Sequence, residues 1–437
     1  MTLCDLLLKA PYIVTQNNAR EIISDGAIAI HKDKIVALGP SQEISANYKA
    51  AKTLDLPKAL IMPGLINGHT HLPMTFLRGF ADDLPLMEWL QTKIFPLEAG
   101  LTREIVALAT TLALAEMLRT GTTSAIDMYL FEDEILRNAQ SVGLRLAAGE
   151  GVFNFPSCSS KDFKQALEIT LRMHETVQAP AQVFVNPHSI YTTTSDILTT
   201  CLEFAKEHYL PIHMHLAETQ TESDYAQKNY HLSPIAYAKK LGLLDWPITL
   251  AHVVYADAAD LDILAEAKNA IVVHNPSSNL KLASGLAKIP EMLSHQIPVA
   301  LGTDGAASNN QLNMFAEMRL AALIHKGRTL DPTVLPAQTV LDLATINGAR
   351  ALHNPEVGSL KVGFKADLIA LDLTSPNLLP LFEPISQLVY AASGHEVILT
   401  MVNGKILYDH GHFTTIDYDS LLQEVNTLKK FVHKASA

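Results

Sequence analysis

The sequence predicts an α/β chain: a (β/α)8 barrel joined to a small β-sandwich built from both chain ends. Three observations carry this. The middle of the chain holds eight short apolar runs separated by stretches with helical periodicity. Eight is the strand count of such a barrel. The two ends share a different texture, with short β-branched segments punctuated by Gly, Asn and Pro.

In chain order, the N-terminal β segments are 11-PYIVTQ-16, 26-GAIAIHKDKIVALG-39 and 51-AKTLDLP-57. The eight runs follow: 59-ALIMPGLINGHTH-71, 123-TSAIDMY-129, 144-LRLAAGEG-151, 182-QVFVNPHS-189, 210-LPIHMHLAE-218, 247-PITLAHVVY-255, 270-AIVVHNPSSN-279 and 298-PVALGTDGAAS-308. The second and third have the weakest strand pattern. The clearest helix is 102-TREIVALATTLALAEMLRTG-121, with Thr102 as its cap, Gly121 as its end, and Ile105, Leu108, Leu112 and Ala115 on one face. The β texture returns in 358-GSLKVGFKADLIALDL-373 and 396-EVILTMVNGKILYDHG-411, where Asn403-Gly404 signals a hairpin. The last residues, 419-DSLLQEVNTLKKFVHKA-435, read as an amphipathic helix. The expected division is therefore a β-sandwich from residues 1–58 and 359–411, a barrel over 59–358, and a terminal helix within 412–437.

Bulk properties narrow the function. With 437 residues, 48% hydrophobic and 18% charged, the chain is an ordinary globular one. Its net charge of −12 argues against nucleic acid and against an anionic membrane surface as partners, and leaves a small molecule. The three cysteines, Cys4, Cys158 and Cys201, form no CxxC pair, which fits a reducing cytoplasm. The N-terminus lacks the pattern of a signal peptide, and no uncharged apolar stretch reaches the ~18 residues that span a bilayer.

The chemistry collects where the runs end. Residues i and i+2 of a strand project to one face, so His69 and His71 point the same way at the C-terminal end of the first run. That end is the catalytic face of a barrel. His215 closes the fifth run, His252 lies in the sixth and Asp304 closes the eighth. Three imidazoles and a carboxylate suit zinc or ferrous iron. A divalent cation lowers the pKa of water toward ~7 and supplies hydroxide. Glu218, three residues beyond His215, is the candidate proton donor. Asp304 can serve both as ligand and as proton acceptor, and His252 either as a fourth ligand or as a hydrogen-bonding partner of the hydroxide. Spacing leaves His213 and His215 as equal ligand candidates. Asp127 reads as a turn cap, His274 as structural, and Trp89 as either core or pocket. The fourth run ends in His188, with no lysine or carboxylate to bridge two metals, which points to one metal ion.

Taken together, PGLINGHTHLPMTFLRG, HMHLAET, TLAHVVY, HNPSSNLKLASG and LGTDGAASNN resemble the amidohydrolase superfamily, in the branch of 5-methylthioadenosine/S-adenosylhomocysteine deaminases, neighbours of the chlorohydrolase-like enzymes. The resemblance covers nearly the whole chain. It implies His69, His71, His215 and Asp304 as ligands of one divalent metal, Zn2+ or Fe2+, with His215 chosen over His213. It implies Glu218 as the acid/base at the purine ring and His252 as the residue polarising the hydroxide. Glu98 would reach the ribose hydroxyls, with Trp89, His188 and Ser308 lining the pocket. The implied reaction is hydrolytic deamination of the adenine 6-amino group in a small-molecule nucleoside. The alternatives are aminodeoxyfutalosine, a guanine-type base or a triazine as substrate, and, further off, a non-catalytic scaffold. The resemblance also implies a homo-oligomer. In one place the chain departs from the family: Glu150 stands where some members carry an arginine. A glutamate cannot pair with the carboxylate tail of S-adenosylhomocysteine, so a methylthio tail fits better unless Lys161 substitutes.

Overall fold

The computed structural model describes residues 1–435 and has mixed α/β content, with its strands in three sheets. Both ends of the chain contribute to one nine-stranded sheet. Its order is His412–Phe413, Lys405–Asp409, Val397–Val402, Leu368–Asp372, Ala59–Pro63, Thr2–Val14, Ile22–His31 and Lys34–Pro40, with Tyr48–Asp55 also paired to Thr2–Val14. It has its own apolar cluster, including Leu8, Ile28, Ile30, Ile61, Leu368 and Met401. The Asn403-Gly404 turn joins Val402 to Lys405 as expected. Both turn residues have positive φ, 52° and 75°, the combination that matches the strand twist. A Cβ on Gly404 would lie 2.1 Å from the Lys32 carbonyl oxygen, so only glycine fits there.

The first apolar run divides at Pro63-Gly64. Ala59–Pro63 pairs antiparallel with Leu368–Asp372, whereas Leu65–Thr70 begins a parallel sheet. That sheet contains Leu65–Thr70, Thr122–Tyr129, Arg145–Val152, Gln182–Val183 and Asn186–Pro187. The second and third runs, weak by sequence pattern, form eight-residue strands that are buried throughout. Strands covered on both faces need no alternation, which is why their periodicity is faint. The other parallel sheet holds Ile212–Leu216, Ile248–His252, Ala270–His274 and Val299–Leu301.

The two parallel sheets touch at both edges. Val185 bridges to Ile212, and His213 N–H donates to the Val185 carbonyl at 3.0 Å. On the far side, Asp304 N–H donates to the His69 carbonyl at 2.9 Å. Ile66, Ile126, Ala147, Phe184, Val273 and Ala300, from strands of both sheets and the segment between Gln182–Val183 and Asn186–Pro187, share one buried cluster.

The helix Arg103–Arg119 is capped by the Thr102 side chain, which accepts from Ile105 N–H at 3.4 Å. Its most buried positions are Val106, Ala109, Ala113, Leu114 and Met117, while Leu108 and Leu112 are half-buried. The expected face lies toward the two C-terminal helices, Tyr418–Glu424 and Asn426–Ala435, which replace the single terminal helix the sequence suggests. No helix among the described residues is long and apolar enough to cross a membrane.

Candidate active site

The imidazoles predicted at the strand ends meet. The His69 ring centroid lies 4.9 Å from that of His71, 4.8 Å from His215 and 5.3 Å from His252. Asp304 Oδ1 lies 3.3 Å from His69 Nε2 and 3.1 Å from His71 Nε2. Two overlapping triads have ligand atoms close enough to share a cation: His69, His71 and Asp304, and His69, His215 and His252. His213 stands behind His69, its Nε2 2.9 Å from His69 Nδ1. Gly302 lets the strands approach, since a Cβ there would meet Asn275 Oδ1 at 2.6 Å and His69 N at 2.8 Å.

The ring hydrogen bonds test whether these groups suit a cation. His71 Nδ1 donates to the Met128 carbonyl and His215 Nδ1 to the His188 carbonyl, the latter at 2.8 Å. Each neutral ring is then left with a lone pair on Nε2, and the two Nε2 atoms face each other at 3.3 Å. A cation between the rings would be held by both lone pairs; without one, burial disfavours charge on His71 but the Asp304 carboxylate beside it prevails and pushes that ring up to about 9, so a proton stands in the cation's place. His69 Nε2 is likewise buried with no hydrogen-bond partner. Ligating histidines characteristically donate their other nitrogen to a carbonyl in this way. The residues fit a divalent cation.

Glu218, His252 and Asp304 border the same space. Burial raises the Glu218 carboxyl well above the usual range, and the nearby Asp304 and Glu222 add to it, which biases Glu218 toward its protonated form. Its main-chain N–H donates to Glu222 Oε2 at 2.8 Å. Burial opposes ionisation of Asp304, but the His69 and His71 rings, with Nε2 atoms 3.3 and 3.1 Å from its Oδ1, outweigh it and hold the carboxyl well below its ordinary value. Asp304 Oδ2 also accepts from Ser278 Oγ at 2.6 Å and from Ser308 Oγ at 2.9 Å. His252 Nε2 lies 3.9 Å from Glu218 Oε2.

These groups open onto one largely apolar cavity. Trp89, Glu98, His188 and Ser308 all line it, with His71, His215, Glu218, His252 and Asp304; of the predicted site residues only His69 lies behind the wall. Trp89 is both core and pocket, and its indole N–H donates to the Ala81 carbonyl at 3.0 Å. Burial raises the Glu98 carboxyl, partly offset by the Tyr129 hydroxyl and by His71. Tyr129, Phe153 and Tyr191 are lining residues that the sequence reading missed. Tyr129 closes the second run and Phe153 follows the third by two residues, so strand-end position was a usable signal for both.

Glu150 and Lys161 do not line the cavity. The Glu150 carboxyl points away and accepts from Phe131 N–H at 3.3 Å, from Glu132 N–H at 2.9 Å and from the Ser159 hydroxyl. It holds the start of the helix Glu132–Val142, and its position says nothing about a substrate tail. Asp127 accepts from Thr70 Oγ1 at 2.6 Å and Leu72 N–H at 2.7 Å, bracketing His71 from outside the cavity. His274 is buried against His325, with their Nε2 atoms 3.1 Å apart.

Comparison with known proteins identifies the family. The model of the amidohydrolase family matches residues 60–407. A 5-methylthioadenosine/S-adenosylhomocysteine deaminase of Lawsonia intracellularis is 53% identical over 432 residues, covering 98% of each chain. Among solved structures, an adenosine deaminase from Xanthomonas campestris with bound zinc superposes with a TM-score of 0.96 at 36% identity, covering 99% of both chains. Atrazine chlorohydrolase from Arthrobacter aurescens, at 23% identity and a TM-score of 0.89 over 97% of this chain and 99% of its own, shares the fold. With a family model matched over most of its length and a relative above half identity, this chain belongs to the amidohydrolase family.

Proposed function

We propose that the chain is a hydrolytic deaminase that converts the 6-amino group of adenine nucleosides to a carbonyl, releasing ammonia, with 5′-methylthioadenosine and S-adenosylhomocysteine as the substrate class. One observation carries the reading. Two buried carboxyls, Glu218 and Asp304, share the imidazole-lined end of an apolar cavity, and their surroundings push the first toward its protonated form and the second toward its ionised form. Carboxyls pushed apart in this way divide the work of acid and base. The names of the relatives support the substrate class.

In this reading His69, His71, His215 and Asp304 hold one divalent cation; zinc is favoured by the bound zinc of the Xanthomonas neighbour, and the same donors suit iron. When bound, the cation supplies hydroxide near neutral pH. Glu218 donates its proton to purine N1, which makes C6 electrophilic. Asp304 accepts one proton of the attacking water as oxygen bonds to C6, and passes it to the departing amine. The remaining hydroxyl proton returns to Glu218 as the C6 carbonyl forms and ammonia leaves. His252 orients the attacking oxygen. Glu98 receives the ribose hydroxyls, Trp89 and His188 pack against the nucleoside, and Ser308 steadies Asp304.

The same reading closes the two parallel sheets into one (β/α)8 barrel, on the strength of their contacts at both edges and their shared cluster. The nine-stranded sheet then folds over its own core as the small sandwich. Its boundary with the barrel moves from residue 58 to Pro63-Gly64.

Ammonia release by the zinc-loaded protein across methylthioadenosine, S-adenosylhomocysteine, adenosine and guanine tests the proposal. Among the described residues no lysine or arginine lines the cavity. Turnover of the adenine nucleosides, with kcat/KM highest for methylthioadenosine, is expected. Ammonia from guanine alone, or from none of the four, would overturn the reading.

A further inference from the structure

The segment 275-NPSSN-279 follows the strand Ala270–His274 and opens the short helix Pro276–Lys281. Asn275, Ser278 and Asn279 are buried, and each faces a group of the site. Asn279 Nδ2 lies 2.9 Å from His252 Nδ1, and Asn275 Nδ2 lies 3.3 Å from the same atom. Asn275 Nδ2 is also 3.4 Å from the Val273 carbonyl, an acceptor only, which keeps the amide nitrogen on that side. A primary amide nitrogen donates and cannot accept. Two donors converging on Nδ1 require a lone pair there, and a neutral imidazole with a lone pair on Nδ1 carries its proton on Nε2.

We propose that Asn275 and Asn279 are positioning residues that fix His252 as the Nε2–H tautomer, so that it donates a hydrogen bond into the cavity and offers no lone pair to a cation. This separates the two overlapping triads. His252 leaves the second, and the donors that remain are His69, His71, His215 and Asp304. Ser278, from the same turn, donates to Asp304 Oδ2 at 2.6 Å, so one five-residue segment orients two groups of the site. The kinetic consequence rests on the deaminase reading; the tautomer does not.

The test is a long-range 1H–15N correlation spectrum of zinc-loaded protein labelled with 15N-histidine, with His252 assigned by loss of its signals in His252→Gln. The wild type should show the proton on Nε2 and a lone pair on Nδ1. In Asn279→Asp, an acceptor replaces the donor, and the proton should move to Nδ1. In that variant kcat should fall about 10²-fold while KM for methylthioadenosine stays within about threefold and zinc remains at one per chain. Asn279→Ser, which keeps a hydroxyl donor, should recover most of the lost kcat. A protonated Nδ1 in the wild type overturns the proposal whatever the variants do. So does an Asn279→Asp protein with unchanged His252 shifts and wild-type kcat. The stated tautomer in a protein that deaminates no nucleoside would leave the positioning role standing and remove the deaminase reading.

Discussion

Four non-glycine residues of the site hold left-handed backbone: Ala217 at φ 54°, His252 at 75°, Val253 at 45° and Asp304 at 63°. For β-branched Val253 this is a rare conformation, and hydrogen bonds from its N–H to the Leu216 and Ala251 carbonyls hold it. Strain of this kind collects where side chains must be aimed. Here it turns Glu218, His252 and Asp304 toward one space just as each strand ends. The histidines and the aspartate were legible in the sequence because each stands at the C-terminal end of an apolar run. The direction of Glu150 was not legible, since it depends on where the main chain of Phe131 and Glu132 lies. Two substitutions test this scale. Glu218→Gln should retain its zinc and lose about 10²–10⁴-fold in kcat, measured at full metal loading. Burial pushes the Glu150 carboxyl up to about 7 from its ordinary 4.5. Between those values the folded chain holds a proton that the unfolded chain has lost, so stability falls as pH rises through 7. Glu150→Gln should remove that loss: urea unfolding should find the variant gaining about 3 kcal/mol on the wild type between pH 4.5 and 8.

Trp89 and Glu98 are nine residues apart, which in a regular α-helix places them about 180° from each other. Both nonetheless line the cavity. The reason lies between them. Leu86–Trp89 and Phe95–Glu98 are α-helical, but Leu90–Ile94 is a π turn. A π turn absorbs one extra residue, so the pair behaves as though about eight apart, or about 80° around the helix. No propensity in WLQTKIFPLE signals this, and a sequence reading could place both residues in the pocket only by resemblance. Deleting Thr92, an exposed residue of that turn, should restore regular helix with the pair eight residues apart, still about 80° around, so Trp89 and Glu98 should both keep their place at the cavity. The expected result is a KM for nucleosides within about threefold of wild type, whereas Glu98→Gln, with zinc content unchanged, should raise it about 10-fold. An unchanged KM in Glu98→Gln would remove Glu98 from the ribose. Elements with length and strong caps, such as Arg103–Arg119, were readable from the chain alone. The division of the first run at Pro63-Gly64 was not, because Ala59–Pro63 is as apolar as the strand after it and only its partner Leu368–Asp372 assigns it to the other sheet.

Across the whole molecule, the nine-stranded sheet and the parallel strands are tied by a buried ion pair. Arg145 Nε donates to Asp367 Oδ2 at 2.8 Å and Arg145 Nη2 to Asp367 Oδ1 at 3.1 Å, with both side chains almost fully covered. Asp367 also accepts from Asn403 N–H at 2.6 Å, which ties the hairpin turn to the same pair. Asp367→Ala would strand a buried guanidinium and should cost about 3–5 kcal/mol in urea unfolding, whereas Arg145→Met with Asp367→Leu should recover most of it. The alternation of apolar runs with helices made the mixed α/β content legible, but this cross-link joins residues 222 positions apart and leaves no local trace. The account as a whole depends on distant strand ends delivering three imidazoles and a carboxylate to one cation. Anomalous diffraction at the zinc edge from crystals of the zinc-loaded protein measures this directly. The expected result is a single peak about 2.0–2.2 Å from Nε2 of His69, His71 and His215 and from an Asp304 carboxylate oxygen. No peak at that point, a second peak beside it, or His252 bound in place of His215 would contradict it.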